Sequence, residues 1–199
     1  MYEEEQQAEI EDLHRHVLQL DVQGTPQAWI TAEQAAVYQA TRAVAWVNGD
    51  SPLRTLRGGW NAVTGQQSLI EIYPIMALNG AARLNLFDVA PAFSRTKLFK
   101  RDRFTCAYCG QCFTGRELQC EHIVPESRGG AWSWMNLVSA CACCNGKKAN
   151  RTPEEARMPL LYLPYVPNRF EDFLLAGRNI RADVHEWLSA RLPKRSRLG

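Results

Sequence analysis

Two Cys-x-x-Cys pairs, Cys106/Cys109 and Cys141/Cys144, constrain the fold of this 199-residue chain more than any other feature. The tight turn of such a pair places two sulfurs on one metal, and two pairs complete the tetrahedral thiolate set that zinc prefers. A competing register exists, because Cys109 and Cys112 have the same spacing and Cys143 lies beside Cys144. The Cys106/Cys109 register is preferred, since Gly110 then follows the second ligand and can take the backbone conformation that a knuckle needs. Four cysteines leave no open coordination position, so the expected cofactor is one structural zinc. Cys112, Cys120 and Cys143 become spare thiols, with Cys120 expected on a buried strand face.

Seven cysteines, four of them paired in this way, indicate metal ligation in a reducing compartment rather than disulfides. The start, MYEEEQQAEIEDLH, is acidic and lacks the basic region and apolar core of a secretory signal, so a cytoplasmic location is expected. A composition of 46% hydrophobic and 22% charged residues is that of a globular protein. No apolar run reaches the ~18 residues of a membrane span. The net charge of +2 conceals an uneven distribution. Residues 1–12 carry six acids and no base, whereas 95–157 hold eleven Lys/Arg against six Asp/Glu, and Arg191, Lys194, Arg195 and Arg197 follow. A basic centre and tail suit a polyanionic partner.

Taken in order, an acidic tail over 1–12 precedes a small strand-and-helix region over 13–92. There HVLQLDV (16–22) alternates as a half-buried strand does, and Gly24-Thr25-Pro26 turns the chain. Thr31 with Gln34 forms a capping box for a helix running to about Arg42. Strands are expected at 43–47, 53–56, 67–73 and 84–89. Ser94 caps a helix over 95–101, with Leu98 and Phe99 inward and Arg95, Lys97, Lys100 and Arg101 toward solvent or phosphate. After the cysteine segment, Thr152-Pro153-Glu154-Glu155 starts a helix with proline at its first position. Residues 159–199 then form a Pro-rich connector, two helices (170–175 and 180–192) and the basic tail. The whole is an α+β chain.

Between the cysteine pairs, ELQCEHI (117–123) alternates as a strand, placing neighbours Glu121 and His122 on opposite faces unless the strand end bends near Pro125. Asn136 opens NLVSACACC, and Asn145 is expected to open a helix over GKKANR. Together with Ser127-Arg128-Gly129-Gly130, Trp134-Met135-Asn136-Leu137-Val138 and Asn150-Arg151-Thr152-Pro153-Glu154-Glu155, this segment resembles the HNH endonuclease family. The resemblance covers about 94–158 and implies a zinc-stabilised ββα-metal domain at 93–158, flanked by the N-terminal region and the C-terminal helices. It further implies DNA as partner and hydrolysis of phosphodiester bonds. His122 would be the general base, oriented by Asn136, and Glu121 and Asn145 would hold a catalytic magnesium or manganese ion. Arg128, Lys147, Lys148 and Arg151 would contact phosphates. Glu121 stands where the family has Asp, which moves the carboxylate by a methylene and opens an alternative: a zinc-stabilised nucleic-acid-binding module with weak or no cleavage. A single centre of this kind cuts one strand, so double-strand cleavage would call for a homodimer or two events.

Overall fold

The computed structural model describes residues 16–80, 90–177, 180–194 and 196–198. The tail expected at 1–12 and the strand expected at 84–89 lie outside these residues. The chain divides into two compact units, Met1–Asn85 with Gly177–Ala190, and Leu86–Ala176 with Arg191–Gly199. The architecture is α+β throughout.

In the first unit, β1 (His16–Leu20) turns back through Gly24, at φ +89°, into the antiparallel β2 (Pro26–Thr31). The Asp21 carboxylate accepts the backbone N–H groups of Gln23 and Thr25 and so fixes that turn. Thr31 and Gln34 close the expected capping box over α1 (Ala32–Ala40). Next come β3 (Val44–Asn48), a hairpin of β4 (Arg54–Trp60) and β5 (Gln67–Ile72), and β6 (Ile75–Leu78). The main sheet runs β2-β1-β6-β3, with β6 parallel to β1 and antiparallel to β3. Val17, Ile30, Ala32, Ala35, Leu53, Ile72 and Met76 form its core. The interior strand β6 was not expected from sequence. Its buried Ile75-Met76-Ala77 is continuously apolar and so lacks the alternation that betrays a half-buried strand. A late helix, Ala182–Ser189, also belongs to this unit and buries Val184 and Leu188.

The second unit begins with α2 (Arg95–Arg101), whose N-terminus is capped by Ser94 Oγ accepting from Lys97 N at 3.2 Å. Strands β7 (Leu118–His122) and β8 (Leu137–Cys141) pair antiparallel, with Glu121 opposite Val138 and His122 opposite Leu137. Helix α3 (Ala142–Lys148) follows β8 at once, and α4 (Pro153–Ala156) has Thr152 and Glu155 as its capping box. Then comes α5 (Arg169–Ala176), with the late helix of the first unit numbered α6. Leu98, Phe99, Leu118, Trp134 and Leu137 make one core cluster of the second unit, and Cys106, Ala140 and Cys141 another.

Two expectations need correction here. Arg101, expected at the surface, is 0% exposed and ion-paired to Asp102 at 2.8 Å. It lies one turn from Leu98 on the inward face of α2, where a guanidinium can be buried because every donor finds an acceptor. Asn145 does not open a helix, since α3 starts at Ala142 with Cys141 as its N-cap, putting Asn145 mid-helix and ending the helix at Lys148.

Candidate metal centre and active-site hairpin

Cys106, Cys109, Cys141 and Cys144 bring their Sγ atoms within 4.8 Å of one another. Tetrahedral zinc with ~2.3 Å bonds to sulfur needs sulfurs roughly 3.8 Å apart, so this donor set fits the ion. The register preferred from sequence is the one found, and Gly110, at φ +73°, donates its N–H to Cys106 O at 3.0 Å to close the first knuckle. That knuckle is tied to β8 by Ala107 N donating to Ser139 O at 2.8 Å. In the second, Cys144 N donates to Cys141 Sγ at 3.4 Å. Burial pushes the Cys106 thiol up, but backbone hydrogen bonds from Cys109, Cys141 and Tyr108 together outweigh it and bring it to about 7. Of the spare thiols, Cys112 and Cys143 are exposed and Cys120 is half-buried.

The hairpin beside the four cysteines presents its two faces differently. Gln119 and Glu121 alternate onto the face that α3 covers, and their partners come from that helix. Asn145 Nδ2 donates to Gln119 Oε1 at 2.6 Å, and Lys148 Nζ donates to Glu121 Oε1 at 2.6 Å. Lys148 Nζ also donates to His122 O at 2.8 Å. Both members of the ion pair are buried, Lys148 at 0% and Glu121 at 8% exposed. The nearby Tyr108 phenol is pushed up first by burial and then by the Glu121 charge, and its hydroxyl is buried without a hydrogen-bond partner.

On the opposite face, the half-buried His122 ring meets Trp132 edge-on, with centroids 4.7 Å apart and planes at 89°. Its Nε2 is buried and has no hydrogen-bond partner. Asn136 does not touch that ring. Its Oδ1 accepts from Val124 N at 2.9 Å, while Nδ2 donates to Val124 O at 3.1 Å and Ala131 O at 3.0 Å. It therefore stitches the 124–131 loop closed, and its own backbone carbonyl accepts from Ile123 N, next to His122, at 2.9 Å.

The family model described as HNH endonuclease matches residues 106–161. This segment is similar to the HNH endonuclease family. No curated protein matches the chain. The match likens residues 106–161 to nuclease domains, a family whose class of substrate is nucleic acid. No helix among the described residues is long and apolar enough to cross a membrane.

Within this segment, the residues expected to grip phosphate divide. Lys147 is exposed at the end of α3, and Arg128 is exposed but paired to Glu155 at 2.7 Å. Arg151 donates to the carbonyls of Lys147 and Lys148, closing the C-terminal end of α3. Lys148 is turned inward to Glu121 and cannot reach a phosphate from there. The same pair decides the fit of a hard divalent ion. The Lys148 ammonium already neutralises Glu121 through Oε1, so a hard divalent ion at this carboxylate must compete with it, while Asn145 uses its Nδ2 on Gln119 and keeps Oδ1 as its potential ligand atom. Trp132, Gln119 and the inward role of Lys148 were missed from sequence. The signal for the last two is strand spacing of two (119, 121) against helix spacing of three (145, 148), which matches only once α3 is started at Ala142.

The loop that Asn136 closes depends on Gly130. A Cβ there would lie 1.8 Å from Val124 O and 2.8 Å from Asn136 Nδ2. Gly130→Ala is expected to open this clamp and lower stability by about 1–3 kcal/mol, as overpacking against backbone does. Chemical denaturation of the zinc-loaded protein measures it, and an unchanged midpoint would refute the clamp.

Proposed function

We propose that the protein is an HNH-type endonuclease that hydrolyses DNA phosphodiester bonds with His122 as general base. The observation carrying this reading is His122 Nε2, a buried ring nitrogen with no hydrogen-bond partner. A histidine kept for structure ordinarily satisfies its buried nitrogens, whereas a ring nitrogen left without a partner is open to exchange a proton with a bound water. Trp132, 57% exposed, stands edge-on to the His122 ring, and a substrate reaching the buried Nε2 is expected to shift this exposed neighbour. Nε2 then removes a proton from the water. The water oxygen bonds to phosphorus, the bond to the 3′ oxygen breaks, and the leaving oxygen is protonated from solvent. Lys147, exposed on the outer side of α3, and Arg128 and Arg151 on the neighbouring surface supply phosphate contacts. No step is assigned to a magnesium or manganese ion, because Glu121 is held by Lys148.

That ion pair favours a second reading, a nucleic-acid-binding module with weak or no cleavage. Nicking of supercoiled plasmid by the zinc-loaded protein, with magnesium and with manganese, separates the two. The endonuclease reading expects nicking by the wild type and by Cys112→Ala, with His122→Ala slower by about 10²–10⁴-fold. Salt-sensitive DNA binding with no nicking under either ion would establish the second reading instead.

A further inference from the structure

We propose that the Lys148 ammonium is the resident counter-cation of Glu121, holding its carboxylate against a divalent ion until the lysine is displaced. The inference rests on the HNH reading of this hairpin only in taking Glu121 as the carboxylate a metal would seek. Three observations place the lysine there as a built feature of the fold.

First, the ammonium has two acceptors at once, Glu121 Oε1 at 2.6 Å and His122 O at 2.8 Å, so both charge and backbone geometry fix it on β7. A surface lysine that happened to fold inward would not be expected to bond a strand carbonyl as well. Second, the helix end that carries it is fixed. Ala149 leaves α3 at φ +49°, and Arg151 bonds the carbonyls of Lys147 and Lys148. Third, the pair is sealed, with side-chain exposures of 1% for Lys148 and 10% for Glu121. In such surroundings a carboxylate needs a positive partner, because an unpaired buried charge is strongly unfavourable. Glutamate supplies the reach. Aspartate at the same position would withdraw the carboxylate by one methylene and weaken the contact.

The consequence is a competition at one oxygen. A divalent ion entering at Glu121 must replace an ammonium already neutralising it. Divalent affinity is therefore low in the resting protein and rises when the lysine charge is removed. Breaking the pair from the lysine side leaves the carboxylate uncompensated, which is the state a metal can stabilise.

Manganese binding, followed by electron paramagnetic resonance on the zinc-loaded protein, tests this without reference to cleavage. Lys148→Met, which keeps the apolar length of the side chain, is expected to bind Mn²⁺ at least ~tenfold more tightly than the wild type. Lys148→Met combined with Glu121→Gln is expected to return to wild-type weakness. Glu121→Asp, which leaves the lysine in place but shortens the arm, should shift affinity in the same direction as Lys148→Met, and it covers the case in which the methionine variant loses its zinc. Equal Mn²⁺ affinity in the wild type and both single variants would overturn the proposal, as would tight binding that survives Glu121→Gln. The nuclease reading fails separately, through the absence of nicking by the wild type, so the two cannot be confused.

Discussion

Serine at Cys109 or at Cys144 is expected to abolish zinc binding and with it the cooperative unfolding of the second unit. Four sulfurs within 4.8 Å of one another join the 106–110 turn to the start of α3, which no strand pairing does. The apolar side chains of this unit gather in two separate small clusters, one around Leu98 and Trp134 and one around Cys106 and Cys141, and a metal at the four sulfurs would tie the second together. Structural zinc in zinc-finger peptides binds with an apparent ~10–16 kcal/mol near neutral pH, enough to decide whether a small unit stays folded. Zinc released to a colorimetric chelator should fall from one equivalent per chain to none. The thermal transition of this unit should broaden or vanish in the same variants. Cys112→Ser and Cys143→Ser, both at exposed thiols outside the cluster, should retain metal and melting behaviour. Full zinc content in the Cys109 or Cys144 variant would refute the four-cysteine site. Acid should act as the substitutions do, since the ligands must be thiolates and protons compete with the metal for them.

A second large loss is expected at Arg101→Met, about 3–5 kcal/mol. The guanidinium of Arg101 is saturated. Nε and Nη2 donate to the two oxygens of Asp102 at 2.8 and 3.2 Å, and Nη1 donates to Trp134 O at 2.7 Å and Tyr165 O at 3.1 Å. Its fifth N–H goes to Leu137 O at 2.8 Å. One side chain thus joins α2, the start of β8, the preceding loop and the connector before α5. Methionine would fill much of the volume but leave three buried carbonyls and part of the Asp102 carboxylate without donors. Asp102 would keep Ser139 N and Oγ at 2.8 and 2.9 Å and Arg197 at 3.1 Å, which is why the loss is bounded. Arg101→Lys should recover little of it, because an ammonium has three donors and no planar fork. Urea denaturation of the zinc-loaded chain gives the difference. A shift below ~1 kcal/mol would mean that water replaces the guanidinium at those carbonyls.

The contrast between Arg101 and Lys148 shows how much of the site could be seen in the sequence. The sequence pattern assigns both to solvent or phosphate, and both are at 0% exposure. A one-dimensional pattern scores a charged residue as outward because burial of an unpaired charge is prohibitive. It does not show the partner that makes burial tolerable. For Arg101 the partners are carbonyls from residues 134, 137 and 165, and for Lys148 they lie on β7, which α3 reaches only after the hairpin has closed. Asn136 differs from expectation for another reason. Its expected action on the His122 ring came from the family resemblance, whereas the structure spends its amide on the backbone of Val124 and Ala131.

What the sequence determined by itself was local. It contained the metal set with its register, because Cys-x-x-Cys and Gly110 encode their geometry within a few residues. It also contained the caps at Thr31, Ser94 and Thr152, whose hydrogen bonds span three residues. The tertiary structure alone decided which polar groups face one another across the β7–β8 hairpin: Lys148 on Glu121, Asn145 on Gln119, Trp132 on His122. Those pairings join residues 10 to 27 positions apart, and their energies depend on the low dielectric that packing creates, which no local pattern carries.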